Sequence, residues 1–262
     1  MRKIIPLLNT KGGVGRTTTA VNLAAGLARR GRRVLLVDLD SQGSASTSLG
    51  IDHDDPIPSS AEVLFGTQAI SEAIRPTARN RLDLLPGSIE LANADVRLPG
   101  QKHSFKRLRR ALADVEDRYQ TVIVDCASSL SILSINALVA ADAFLLPVCP
   151  SYLAVEGIAN LSAAMTRVRE GIGRAPPMMG VILTRVTRDE DVPPIIEKIR
   201  SHYGDRVFTQ EIREDPKLRE APACSQDIFQ YAPNSTASAD YDALVDEIEE
   251  RLQAPGSVGT MY

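Results

Sequence analysis

The sequence predicts an α/β fold, a mostly parallel central sheet flanked by helices on both faces. Three observations predict it. Short apolar runs recur along the chain, each too short for a helix. Amphipathic segments of helical period separate them, and the first run opens into a glycine-rich turn followed by threonines. Strands buried on both faces read as continuous apolar runs, and strands that alternate with helices pair in parallel.

The apolar runs are 4–8, 34–39, 82–85, 121–125, 143–148 and 179–183. Helical patterns cover 17–30, 89–98, 105–118, 132–140, 155–170, 192–203 and 236–252. Pro6 removes an amide donor from the first run, so a local irregularity is expected there. No Gly/Ser linker or internal repeat divides the chain, and a single domain over 1–262 with a loose C-terminal tail is expected.

Composition narrows the class. Of 262 residues, 44% are apolar and 24% charged, ordinary for a globular protein with a sizeable core. The net charge of −3 means that any nucleic-acid contact must come from a local patch. Cys126, Cys149 and Cys224 are widely spaced and odd in number; Cys126 and Cys149 lie in or just after apolar runs and read as small core residues rather than as a metal or redox set, and a reduced compartment fits. The N-terminal run leads into a Gly-rich motif instead of a cleavage site, so no signal peptide is expected. No stretch approaches the ~20 apolar residues of a transmembrane helix.

The chemistry begins at Lys11-Gly12-Gly13-Val14-Gly15-Arg16-Thr17-Thr18. Glycines let a backbone fold tightly and aim its amides at phosphates, and the following helix N-terminus adds amides and partial positive charge. Thr17 stands where a hydroxyl can ligand Mg2+. The usual phosphate loop has lysine where this chain has Arg16. A guanidinium there either bridges phosphate oxygens or sits displaced, and a displacement of ~1 Å can cost ~100-fold in rate.

With Lys11 ahead of the glycines, this segment resembles the deviant Walker A motif of the ParA/MinD ATPases. The run Val34-Leu-Leu-Val-Asp38-Leu-Asp40-Ser-Gln42-Gly43 is similar to the family's second-strand motif, with Ser41 where proline is usual. Thr121-Val-Ile-Val-Asp125-Cys126 followed by Leu133-Ser-Ile-Asn136 resembles its Walker B strand and next helix, with Ala127-Ser128 in place of two prolines. Segments from Pro147 to Gly157 and from Leu218 to Pro222 match in order, so the resemblance covers residues 2 to about 252. It implies a P-loop NTPase fold of the SIMIBI type, a small ParA form that starts on its first strand without an N-terminal helix-turn-helix region. Sequence-specific operator binding is therefore not expected.

The resemblance implies roles for particular residues. Lys11 would reach the phosphates of a partner subunit in an ATP-bound sandwich homodimer, and Arg16 stands at the intrachain lysine position. Gly12, Gly13, Val14, Gly15, Arg16, Thr17 and Thr18 would bind the ATP phosphates. Thr17, Asp40 and Asp125 would surround Mg2+, with Asp40 orienting the attacking water and Asp125 holding the ion through water. Lys11, Arg16, Asp40 and Asp125 form the catalytic set. Arg188 and Lys217 lie near the family's DNA-contacting arginines; ordinary surface charge is the alternative for both. The implied function is a cytoplasmic, nucleoid-associated partition ATPase that binds nonspecific DNA as an ATP dimer and is released on hydrolysis. A ParB-like or other adaptor would stimulate that hydrolysis. A membrane-positioning ATPase resembling MinD and a metabolic ligase of the same superfamily are the alternatives. An electron-transfer relative would need paired cluster-ligating cysteines.

Three further features stand out. Asp52-His53-Asp54-Asp55 beside two prolines reads as a solvated acidic turn. The segment 102–110 carries Lys102, Lys106, Arg107, Arg109 and Arg110 with no acid. Phe105, Leu108, Ala111 and Leu112 would share its buried stripe, leaving either a solvated face or a DNA-phosphate contact outside. The last helix places Leu244, Val245, Ile248 and Leu252 on one stripe and Asp240, Asp242, Asp246, Glu247, Glu249 and Glu250 outside. That face has the wrong sign for an anionic membrane, and no stable membrane association is expected.

Overall fold

The computed structural model describes residues 2–51, 58–151, 165–166, 168–169 and 175–253. Seven strands form one sheet: β1 (Lys3–Leu7), β2 (Val34–Leu39), β3 (Arg75–Pro76), β4 (Leu82–Leu85), β5 (Thr121–Cys126), β6 (Phe144–Val148) and β7 (Met178–Leu183). Their order is β3-β4-β2-β5-β1-β6-β7. Every pair is parallel except β3–β4. The sequence did not predict β3. It is a two-residue edge containing Pro76, where a missing donor costs no central ladder bond.

The two-residue period of each strand divides the core between the faces. Leu35, Val37, Leu39, Val122 and Val124 pack with Leu64, Leu108, Leu112, Ala137 and Ile199 from the helices on one side. Val34, Leu36, Ile123, Ile5 and Leu7 pack with Leu23, Leu27, Leu244, Val245 and Ile248 on the other. The second face therefore seats helix Arg16–Arg29 and the C-terminal helix Thr236–Gln253 side by side.

Pro6 is accommodated without disrupting the sheet. Lys3 donates its amide toward β5, whereas Ile4 donates to the Asp142 carboxylate at 2.8 Å and Leu8 to the Leu145 carbonyl at 3.0 Å on the β6 side. By strand alternation, the nitrogen of Pro6 also faces β6. There β1 pairs only through Leu7 opposite Leu145, while Pro6 itself keeps register with Val124 of β5.

Two predicted helices are interrupted. Residues 89–98 form a 3-10 turn Ile89–Asn93 and a short helix Ala94–Arg97. The Asp95 carboxylate instead accepts the Ile132 amide at 2.8 Å, at the start of helix Ile132–Ala140. Residues 105–118 form a 3-10 turn Ser104–Lys106, helix Arg107–Ala113 and then turns. Phe105 precedes that helix, so it is not on the buried stripe and is 45% exposed, whereas Leu108 and Leu112 are buried as expected.

The C-terminal helix corrects a second expectation. Asp240 is buried and paired with Arg213 at 2.5 Å, because it lies one turn before Leu244 on the core-facing stripe. Short helices Ser44–Ser48, Ser60–Phe65, Ile70–Ala73, Lys217–Glu220 and Ile228–Tyr231 were not predicted. Of these, Ser60–Phe65 carried a signal, a capping box between Ser59 and Glu62. The acidic turn at Asp52–Asp55, most of the predicted helix 155–170 and the C-terminal tail lie outside the described residues. Among the described residues no helix is long and apolar enough to cross a membrane. Cys126 is buried as expected, Cys149 is half-buried and Cys224 is exposed; all three are free.

Candidate nucleotide site

Beyond β1 the chain turns over the C-terminal edge of the sheet. Asn9 fixes this turn: its Oδ1 accepts the Lys11 amide at 2.9 Å and its Nδ2 donates to the Pro147 carbonyl at 2.7 Å. Gly13 and Gly15 both have φ of 73°, a left-handed conformation that side chains resist. Gly15 then starts helix Arg16–Arg29, which has no side-chain cap and no acid in its first turn. None of the amides from Gly13 to Thr18 donates a backbone hydrogen bond of ordinary geometry to a described residue. A bent loop of free amides at an uncapped helix N-terminus is a binding surface for an anion.

The loop is held from below and from the side. Arg16 is 8% exposed, and its Nε donates to the Cys126 carbonyl at 2.6 Å while Nη1 donates to the carbonyls of Asn9 at 2.7 Å and Lys11 at 3.3 Å. The guanidinium therefore ties the start of the loop to the end of β5. Here Arg16 uses its rigid fork on backbone carbonyls, a bonding pattern that the single ammonium of lysine does not reproduce. From the end of β7, the Thr184 hydroxyl donates to the Val14 carbonyl at 2.8 Å. Arg185, left-handed at φ 52°, donates to the Gly13 carbonyl at 3.1 Å and pairs with Glu214 at 3.4 Å. Lys11 turns its ammonium to the Ser151 hydroxyl at 2.8 Å.

Sequence reading did not single out Asn9, Ser151, Thr184 or Arg185. The signal available was position, since ligands of open parallel sheets bind beyond the carboxyl ends of the strands, where Thr184 and Arg185 follow β7 directly.

Two carboxylates stand beneath the loop, with Asp38 of β2 directly opposite Asp125 of β5. Both are fully buried. Asp38 is saturated: one oxygen accepts the Asp40 amide at 3.0 Å, the other the Ser46 amide at 2.9 Å and the Ser46 hydroxyl at 2.7 Å. Among the described residues neither oxygen of Asp125 has a hydrogen bond of ordinary geometry. Burial, then the neighbouring Asp38 charge, push the Asp125 carboxyl well above the usual carboxylate range, against the pull of the Thr17 hydroxyl and Arg16. Burial also raises Asp38, opposed by its Ser46 and Asp40 hydrogen bonds. Asp40 is half-buried, and its Oδ1 accepts the Gln42 amide at 3.0 Å.

The structure thus brings Lys11, the glycines, Arg16, Thr17, Asp40 and Asp125 to one edge of the sheet. Arg188 and Lys217 lie outside this cluster, both exposed. A buried carboxylate with both oxygens unpartnered and a hydroxyl beside it fit a hard divalent cation such as Mg2+. Among the described residues no group of three or more His, Cys, Asp or Glu could hold a metal by itself. A single carboxylate suits an ion whose other ligands are water and nucleotide phosphate.

The raised carboxyls set a pH dependence. A raised carboxyl keeps its proton in the fold at pH values where the unfolded chain has released it, so stability of the nucleotide-free protein falls as pH rises from about 4 through the raised range of the two carboxyls. Urea unfolding of Asp125→Asn across that range is expected to give a flatter profile. At neutral pH the variant should be more stable than the parent by roughly 1–3 kcal/mol. Parallel profiles would show that Asp125 carries no such penalty.

A phosphate-shaped loop over a parallel sheet, with a free carboxylate beneath it, defines the class: a P-loop ATPase. The family model described as "AAA domain" matches residues 2–175. The sporulation initiation inhibitor protein Soj of Bacillus subtilis is 37% identical over 249 residues, covering 95% of this chain and 98% of that protein. The chromosome-partitioning ATPase Soj of Thermus thermophilus is 38% identical over 250 residues, covering 95% and 96%. The chain belongs to the ParA/Soj family of partitioning ATPases. Among solved structures, cobyrinic acid a,c-diamide synthase from Mycobacterium smegmatis, with bound ADP and magnesium, superposes with a TM-score of 0.85 at 29% identity over the full length of both chains. The septum site-determining protein MinD of Pyrococcus horikoshii, complexed with Mg-ADP, superposes at 0.79 and 26%, again over both full chains.

Proposed function

We propose that this chain is an ATP-gated DNA-binding switch of the partition type. The observation that carries the reading is the Asp125 carboxylate, unpartnered among the described residues, beneath a loop of free amides, with the Lys11 ammonium on a serine hydroxyl. In this reading Gly12–Thr18 bind the ATP phosphates, and Thr17 and Asp125 hold Mg2+ with Asp40 at its edge. When bound, such an ion would supply positive charge against the charge that develops during phosphoryl transfer. Asp40 orients the attacking water. Lys11 leaves Ser151 to reach the nucleotide of a second copy, so that ATP closes a homodimer.

The dimer binds nonspecific DNA, for which Arg188 and Lys217 are candidate contacts, and hydrolysis releases it. The cargo is a plasmid, a chromosome or another large body, and a ParB-like adaptor stimulates the ATPase. The setting is cytoplasmic and nucleoid-associated. Curated relatives at 37–38% identity named for chromosome partitioning or sporulation control support this over a metabolic ligase, whose solved relative is at 29%. A membrane-surface role fits less well. The acids of the last helix are engaged inside the chain, with Asp242 and Asp246 on Arg30 and Glu249 on Arg32.

The test is DNA binding by the parent and by Lys11→Ala, with ATP, ADP or no nucleotide, at moderate salt. The parent is expected to bind DNA only with ATP, and Lys11→Ala is expected to lose that binding and elute as a monomer. Binding that ignores nucleotide would remove the switch from the reading. A small-molecule product made at the expense of ATP would replace it with a ligase.

A further inference from the structure

Four of the positive charges near Arg188 and Lys217 are engaged, although Arg188 itself makes no ion pair among the described residues. Lys217 pairs with Glu220 at 2.8 Å, Arg213 with Asp240 at 2.5 Å, Arg185 with Glu214 at 3.4 Å and Arg200 with Glu211 at 2.9 Å. A phosphate approaching Lys217 competes with a carboxylate already in place. Segment 102–110 differs. Lys102, Lys106, Arg109 and Arg110 are exposed, and none makes an ion pair or a side-chain hydrogen bond among the described residues.

The four cations lie close together. Arg109 and Arg110 are exposed on the helix Arg107–Ala113, and Lys106 closes the 3-10 turn immediately before it. His103, left-handed at φ 63°, turns the chain so that Lys102 joins them. The pKa of its ring is lowered by slight desolvation and then by Arg110, Lys102, Lys106 and Arg107, so Lys102, Lys106 and Arg110 of this set surround the same turn.

This surface is also bonded to the helix that follows the Asp125 strand. Asn136, fully buried on the helix that follows the Asp125 strand and its loop, donates to the Ser104 carbonyl at 2.8 Å and accepts the Leu108 amide at 3.3 Å. Those two bonds clamp the basic segment at its first turn. Asp95 holds the other end of the same connection, accepting the Ile132 amide where that helix begins. A shift of the loop after Asp125 on nucleotide binding would therefore carry residues 104–108 with it.

We infer that the basic face of Lys102, Lys106, Arg109 and Arg110 is a phosphate-contacting surface for duplex DNA, coupled to the nucleotide site through Asn136. The inference rests on the proposed ATP-dependent DNA binding and locates it. Unpaired cations on an exposed surface meet a polyanion without first breaking an internal ion pair, and each phosphate neutralised releases a condensed counterion.

The test compares three proteins on a labelled random-sequence duplex with ATP across a salt series: the parent, a triple Lys106→Gln, Arg109→Gln, Arg110→Gln variant, and an Arg188→Ala, Lys217→Ala variant. Binding of fluorescent ATP and basal hydrolysis, expected unchanged, control for folding of the triple variant. That variant is expected to lose about ten-fold or more in DNA affinity. Its plot of log affinity against log salt should flatten by about 3 for each surface engaged. If the parent binds no DNA, the partition reading itself fails. If the parent binds and the triple variant matches it, while Arg188→Ala, Lys217→Ala loses binding, this inference fails and that reading survives. Triple-variant loss confined to anionic vesicles, or to stimulation by an acidic protein partner, would also overturn it.

Discussion

Replacing Asp40 with alanine is expected to lower kcat for ATP hydrolysis by about 10²–10⁴-fold while leaving ATP affinity near that of the parent. Three carboxylates cluster near the loop, and their surroundings divide their work. Asp38 is buried and saturated by three donors, so it holds the backbone at Asp40 and Ser46. Asp125 is buried and unpartnered, suited to a cation. Asp40 alone is half-exposed, with a single backbone hydrogen bond from Gln42 at 3.0 Å. Losing it removes a water-positioning acceptor without emptying a buried hydrogen-bond network, so stability should change by less than about 1 kcal/mol. Single-turnover hydrolysis with equilibrium binding of a fluorescent ATP separates the two effects. Unchanged hydrolysis would move the water-positioning role to another residue.

Gly87→Ala is expected to destabilise the fold by about 2–4 kcal/mol in urea unfolding and to weaken ATP binding as a consequence. An added Cβ there would lie 2.7 Å from the Asp40 carbonyl and 2.9 Å from both Cγ and Oδ1 of Asp38. Neither neighbour can yield cheaply. One is backbone, and the other is a carboxylate held by Ser46, whose hydroxyl also accepts the Gly87 amide at 2.9 Å. Gly12→Ala is the matched control, because a Cβ at Gly12 meets nothing within 4 Å. Equal stability of the two variants would show that the Asp38 network relaxes around the methyl.

Much of the site was legible because its chemistry is local in sequence. Glycines at fixed spacing, followed by threonines and preceded by an apolar run, specify a strand, a tight turn and a helix start within sixteen residues, 3–18. Asp40 and Asp125 were legible for a related reason, since each closes or follows a run of apolar residues that only a buried strand explains. Arg16 was legible as a departure, but its role was not. Whether a guanidinium bridges phosphates or braces the loop depends on which carbonyls lie within reach. One of those, Cys126, is 110 residues away along the chain.

The remaining errors follow from the same limit. Helical period placed Phe105 on a buried stripe, but the helix starts only at Arg107, after a turn fixed by Asn136. Composition placed Asp240 in solvent, although its spacing from Leu244 put it on the core side, where Arg213 satisfies it.

By itself, then, the sequence determined six of the seven strands, the parallel pairing of those six and the phosphate loop, because apolar periodicity and glycine stereochemistry act over a few residues. Tertiary structure alone decided which charges are engaged. It tied Arg16 to the Cys126 carbonyl and Arg213 to Asp240, and among the described residues it left Asp125, Lys106, Arg109 and Arg110 without a partner. The physical reason is that a charged side chain's state is set by the few groups within hydrogen-bond reach, and chain folding draws those groups from distant parts of the sequence.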